Sequence, residues 1–333
     1  MPIPDSHFRI AIVGASTPRG KDLRELLEER GFRGGQIRLF DEDIAVGTIT
    51  RSGDEAAIIA AVDEASFSDA NVACFAGPAE MARRHAAEAL RAGARVVDLS
   101  EDPGLDDSTA WIPSLDSIAG RPVGVERGVL RSPSAAAIVS ASVAAALDRF
   151  RPNRLVTVFL RPVSECGQQG IDELEQQTTR LLSFQPVSGG IYDSQVAFNL
   201  MDAYGAASTQ PLDGVRRAIL RDIERALGGK IATPALWLLQ APVFFSYAFT
   251  IYAELGAGAG KAEIEAALAA AGFDVRGAEA DRPTNLSVAG QPRAALGEIV
   301  PDGAREGAFW LWGAADNVRL VAANAVSIIE SLV

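Results

Sequence analysis

Short apolar runs alternate with stretches of helical periodicity over the first third of the chain. Residues 8–13 form an apolar run that stops at Gly14. Leu23, Leu26 and Leu27 then recur at helical spacing until Gly31, which can take the left-handed turn that closes a helix. The pattern predicts a second strand over 37–40, a third over 72–75, a helix over 79–92 closed by Gly93, and a strand over 95–99. Strands that alternate with helices pair in parallel, because each crossover must travel back over the sheet before the next strand can join it.

After Pro133 the pattern changes. An alanine-rich helix is expected over 135–147, a strand over 155–160 and a helix over 171–182. Two long β-prone runs, 237–243 and 245–255, are what an antiparallel sheet needs, and the glycines of 256–260 connect them to a helix ending at Gly272. In the last segment, 317–332, Leu320, Val321, Ala325, Ile328, Ile329 and Leu332 share one broad apolar face, which requires a partner surface. We expect that surface on the first domain. The reading is an α/β protein: a Rossmann-like NAD(P)-binding domain over 1–131, completed by the C-terminal helix 316–333, and an α+β domain over 132–315.

At 333 residues two cores are the natural expectation, and 48% hydrophobic with 22% charged residues is globular composition. A formal charge of −12 repels nucleic-acid backbones and anionic lipid heads, so neither is an expected partner. The apolar stretch 135–147 is too short to cross a bilayer, residues 1–5 do not resemble a signal peptide, and a cytoplasmic location is expected. Two cysteines, Cys74 and Cys166, make neither a disulfide framework nor a zinc site, and no metal is expected.

The sharpest chemical signal is the run from Gly14 to Gly20, where a strand ends and a helix begins, so that backbone N–H groups and the helix dipole can face a phosphate. Gly14, Ser16, Thr17 and Gly20 are the candidate cofactor contacts. Thr17 and Pro18 stand where a dinucleotide loop usually carries a further glycine, and a tight turn without a ligand is the competing reading. Asp41, Glu42 and Asp43 follow the second strand. An acidic residue there accepts from a ribose 2′-hydroxyl and repels a 2′-phosphate, so Asp41 favours NAD over NADP; a solvated acidic turn is the alternative.

Several longer segments carry a family likeness. The stretch from Leu311 to Arg319 followed by Ala322 to Val326, the stretch from Gly170 to Thr178, Phe198-Asn199-Leu200-Met201 and Val288-Ala289-Gly290 together resemble aspartate-semialdehyde dehydrogenase, and more narrowly its Usg-type branch. The resemblance implies a dimer formed through the second domain, and places Asn317 on the nicotinamide side of the cofactor site. It also implies a reaction: a cysteine attacks the aldehyde, hydride passes to the nicotinamide, and phosphate releases the acyl group.

The residues for that reaction are missing at the matching positions. The family's Asn-Pro-Asn-Cys segment reads Ser132-Pro133-Ser134-Ala135, which leaves Ala135 at the nucleophile's place and Ser134 as a helix cap. Tyr247 stands at the histidine base and Gln240 at the substrate arginine, while the phosphate-binding arginine falls on Gly104. His7 and His85, the only histidines, match no catalytic position. Cys166, which falls in the family's Ser-Gly-Ala-Gly turn, has no histidine to activate it and reads as a packed or inert thiol. The expected protein is a catalytically inactive homologue, homodimeric or paired with an active relative, that binds NAD or no cofactor. Two rivals remain: an NAD(P)-dependent oxidoreductase acting by direct hydride transfer, with Tyr247 as its acid, and a still active dehydrogenase of amino-acid biosynthesis.

Overall fold

The structure is a computed structural model that describes residues 7–42, 47, 49–52, 55–100, 108–122, 125, 128–256 and 259–333. Asp43, Gly104 and residues 1–5, singled out above, lie outside the described residues. The chain divides into two compact units, Met1–Ser134 with Val321–Val333, and Ala135–Leu320.

The first unit runs β1 (Ile10–Val13), α1 (Pro18–Glu29), β2 (Ile37–Asp41), β3 (Ile49–Ser52), β4 (Glu55–Ile58), β5 (Ala60–Ala61), β6 (Val72–Phe75), α2 (Ala79–Arg91), β7 (Arg95–Asp98), β8 (Thr109–Ala110), α3 (Asp116–Ala119) and β9 (Val129–Arg131). Its main sheet has the order β5-β2-β1-β6-β7-β9-β8, every pair parallel. All four residues of β1 and of β6 are buried, as strands covered on both faces require. Because β1 lies between β2 and β6, the chain leaves it at a switch of strand order, the place where open α/β sheets form crevices. The β3–β4 hairpin is a separate two-stranded sheet that the periodicity did not suggest.

The second unit holds α4 (Ala135–Leu147), β10 (Arg154–Arg161), α5 (Gly167–Leu182), α6 (Leu212–Leu227), β11 (Ala235–Gln240), β12 (Tyr247–Glu254), α7 (Lys261–Ala270), β13 (Asp274–Val275), β14 (Ala295–Leu296), β15 (Val300–Pro301) and β16 (Ala308–Ala315). All thirteen residues of α4 are buried, and their small side chains let α6 and α7 pack closely on it. The sheet order is β11-β10-β12-β16-β14-β13, with β15 on β16. The two β-prone runs do not pair with each other, as an antiparallel hairpin would: β10 lies between them, parallel to β11 and antiparallel to β12. Alternation along β10 sends Leu155, Thr157, Phe159 and Arg161 inward. On the opposite face the register lines up Trp237, Val158, Thr250 and Trp312 in one row and Val156, Tyr252 and Trp310 in the next. Trp237, Trp310 and Trp312 are 47%, 46% and 40% exposed.

The last helix, α8 (Arg319–Glu330), is buried on nearly every side rather than along one stripe. Its polar Asn324 is inside, donating to the carbonyl of Trp111 at 2.9 Å and to Ser132 Oγ at 3.0 Å, while Ser132 donates to the carbonyl of Val321 at 2.8 Å. These bonds tie the C-terminal segment to the first unit.

Two glycines hold the turn after β1. Gly14 has φ +84°, and a Cβ there would lie 2.5 Å from the backbone nitrogen of Gly77; a Cβ on Gly20 would lie 2.2 Å from the carbonyl oxygen of Gly14. Backbone cannot yield as a flexible side chain can. Gly20→Ala should therefore lower stability by about 1–3 kcal/mol in denaturant unfolding, and an unchanged midpoint would show that α1 does not pack against this turn.

Candidate functional site

In the first unit the turn that follows β1 uses its own donors. The amides of Gly14 and Ala15 both donate to the carbonyl of Phe40, that of Ser16 to Asp41 Oδ2 at 2.9 Å, and that of Thr17 to the carbonyl of Gly14. Thr17 caps α1: its Oγ1 accepts from the Gly20 amide at 3.0 Å and lies 2.8 Å from the carbonyls of Gly14 and Ala76. The Lys21 amide donates to the carbonyl of Thr17, and Pro18 has no N–H to give. Asp41 is buried, and its second oxygen accepts from the Glu42 amide at 2.9 Å. The shape of this turn fits the close approach of a dinucleotide, but its donor set fits a pyrophosphate poorly, because most of the amides that could meet the phosphates are already bonded.

The acidic turn is not simply solvated. Glu42 Oε1 accepts from Arg84 at 3.0 Å and lies 3.2 Å from His85 Nε2, while His85 Nδ1 lies 2.8 Å from Glu88. His85 is thus a half-buried bridge between two carboxylates rather than a free surface histidine. At the far end of β7, Asp98 is fully buried, accepting from the amide and hydroxyl of Ser100 at 2.9 and 3.0 Å. Burial pushes its carboxyl up to about 6, partly offset by the Ser100 bonds and by the charges of Arg131 and Arg19.

In the second unit, Ala135 is the first residue of α4 and is completely buried, with no reactive atom. Gln240 and Tyr247 are also completely buried, at the end of β11 and the start of β12. They border a polar cluster that sequence reading missed, built around the buried guanidinium of Arg161. Its Nη1 lies 3.1 Å from Cys166 Sγ, 3.2 Å from Tyr204 Oη and 3.4 Å from Gln240 Oε1, and its Nη2 donates to the carbonyl of Glu165 at 3.2 Å. Gln240 accepts from Tyr204 at 2.7 Å and donates to the carbonyls of Arg161 and Ala241 at 2.8 and 3.0 Å. Asn317 donates to Glu165 Oε1 at 2.8 Å and to Ser164 Oγ at 3.1 Å, and accepts from the Ser246 amide at 2.9 Å.

Burial, followed by the facing Glu165 carboxylate, holds the Tyr247 phenol well above its usual range, although no hydrogen bond of ordinary geometry joins the two. The Phe159 ring meets Tyr247 edge-on at 5.6 Å. For Arg161, burial works against the charge, but Cys166, Tyr204, Tyr247 and Glu165 outweigh it. The alternation along β10 was the signal available for Arg161, since it puts that residue on the inward face. Among the described residues no group of three or more His, Cys, Asp or Glu could hold a metal ion, and no helix is long and apolar enough to cross a membrane.

Comparison with known proteins gives a consistent picture. Residues 9–146 match the family model for the NAD binding domain of semialdehyde dehydrogenase, and residues 143–320 that for its dimerisation domain. The chain is 32% identical to the USG-1 protein homolog of Pseudomonas aeruginosa, over 98% of both chains. It is 26% identical to the aspartate-semialdehyde dehydrogenase of Rickettsia bellii, again over 98% of both. A solved structure of a probable aspartate-semialdehyde dehydrogenase from Pseudomonas aeruginosa superimposes with a TM-score of 0.82 at 29% identity, covering 98% of each chain.

The buried carboxyl of Asp98 has a pH signature. Between about 4 and 6 the folded chain binds the proton that the unfolded chain has released, so unfolding free energy falls as pH rises through that window. Asp98→Asn removes the titration and keeps an acceptor for Ser100. Between pH 4 and 7 the difference in unfolding free energy should move in the variant's favour by about 3 kcal/mol. A pH-independent difference would mean that Asp98 is not a buried titrating acid.

Proposed function

Because the chain belongs to the aspartate-semialdehyde dehydrogenase family, on its Usg-type branch, we propose that it is a homodimeric member without the phosphorylating dehydrogenase activity. The observation that carries this reading is the state of three positions. At the family's nucleophile there is a buried methyl group, Ala135; at its substrate arginine, Gln240, whose amide is spent on Arg161 and Tyr204; and at its base, Tyr247, a sealed phenol that keeps its proton at neutral pH. The same burial counts against Tyr247 as the acid of a direct hydride transfer, since the group cannot reach a substrate without moving.

The first domain is the family's NAD-binding domain. Gly14, Ser16, Thr17 and Gly20 would lie under a dinucleotide, which supplies hydride chemistry when bound, with Asp41 beside the ribose; the fully buried Asn317, bonded to Glu165, Ser164 and Ser246, has no atom left for one. The bonded amides of the turn argue for weak binding, and the carboxylates of Asp41 and Glu42 for NAD over NADP. Residues 143–320 are the family's dimerisation domain. The two aromatic rows on the open face of its sheet, with Trp310 4.7 Å from Tyr252, support that face as the seat of a second copy.

Three outcomes check the reading. Purified protein given aspartate semialdehyde, phosphate and either dinucleotide should reduce the nicotinamide more than about a thousandfold slower than an active relative run beside it. A rate within tenfold of that relative would end the proposal. NAD should raise the melting temperature more than NADP, and both less than they raise that of the active enzyme; an equal or larger shift would show that the turn opens freely for the ligand. Trp310→Glu should convert a species of twice the 35.0 kDa chain mass into monomer in sedimentation equilibrium, and an unaltered dimer would place the interface elsewhere.

A further inference from the structure

We propose that Cys166 is a reactive thiol, a site of oxidation by hydroperoxides, held in place by Arg161 and Tyr192. Cys166 is partly exposed and stands at the N-terminal boundary of the sixteen-residue helix α5, whose dipole favours negative charge there. Its sulfur lies 3.1 Å from the Arg161 guanidinium, a cation that is itself buried and keeps its charge. A second observation is independent of that pair. The Tyr192 hydroxyl is buried, has no oxygen or nitrogen partner, and lies beside Cys166: one point, an added Cβ at Gly170, falls 2.8 Å from Tyr192 Oη and 2.9 Å from Cys166 Cβ. Burial, and next the Cys166 sulfur, keep that phenol protonated, so it remains a donor. The Cys166 sulfur is a weak acceptor for this hydroxyl, and an oxygen added to the sulfur would be a stronger one.

The step balances without a cofactor. The sulfur lone pair forms an S–O bond as the O–O bond of the peroxide breaks. The departing hydroxide takes a proton to become water, the sulfur is oxidised by two electrons and the peroxide is reduced by two. The product sulfenate accepts from Tyr192 and faces Arg161. The site shares Arg161 with Gln240, and it survives whether or not the dimer or the dinucleotide reading holds.

Cys74, buried in β6 with its thiol pushed up by burial, is the internal control. In the native full-length chain at pH 7, iodoacetamide should label Cys166 about tenfold faster than it labels glutathione, and Cys74 not measurably. After brief exposure to hydrogen peroxide, dimedone should add to Cys166 alone, as read by peptide mass spectrometry. Tyr192→Phe keeps the ring and removes the hydroxyl, and should reduce dimedone trapping several-fold while circular dichroism is unchanged. Arg161→Gln should return alkylation to the glutathione rate; if that variant does not fold, the native chain's own rate decides. A Cys166 no faster than glutathione, or dimedone trapping unaffected by Tyr192→Phe, would overturn the proposal.

Discussion

A full positive charge with no access to water organises the interior of the second unit. Removing a guanidinium from solvent costs several kcal/mol unless other groups surround it, and losing one partner of such a charge typically costs about 3–5 kcal/mol. Arg161 draws on Tyr204, Gln240, Cys166 and the carbonyl of Glu165 at once. Tyr204 and Gln240 are thereby committed. Gln240 has both ends of its amide engaged, and the Glu165 side chain is tied through Asn317 to Ser164 and Ser246. The polar groups of this region are closed on one another by their own hydrogen bonds.

The turn after β1 follows the same logic on a smaller scale. Its glycines keep the shape of a dinucleotide cradle, because the chain must pass within contact distance of Gly77 and of its own carbonyls. Its donors have been turned inward. The Asp41 carboxylate meets the Ser16 amide, and Pro18 removes a donor outright. Geometry that packs helix on sheet is retained, whereas the groups that would meet a ligand are spent on the protein.

How far the sequence disclosed this depended on whether the information was local. The strand 72–75 and the helix 135–147 could be bounded to the residue, since an unbroken apolar run and a nearby glycine or proline mark each of them. The placing of β10 between β11 and β12 could not, because strand order is set by contacts between distant segments, and the β3–β4 hairpin has too few residues for a period to register. Ala135, Gln240 and Tyr247 were singled out only by likeness to the family. The partners of Cys166 were not: Arg161 lies just past the expected strand 155–160, and Tyr192 and Tyr204 fall in segments with no pattern, so a thiol expected to be inert is found beside a charge. The C-terminal helix was expected to show one apolar face; it is buried on nearly every side, and the bonds of Asn324 satisfy a polar group on the side that was expected to be open.

The central claim is that no side chain of this protein bonds to a carbonyl carbon in a productive dehydrogenation. Intact-mass spectrometry after incubation with aspartate semialdehyde and oxidised dinucleotide, phosphate withheld so that an acyl-enzyme would accumulate, tests it most directly. The account predicts the unmodified chain mass. An acyl adduct, on any residue to which peptide mapping assigns it, would contradict it.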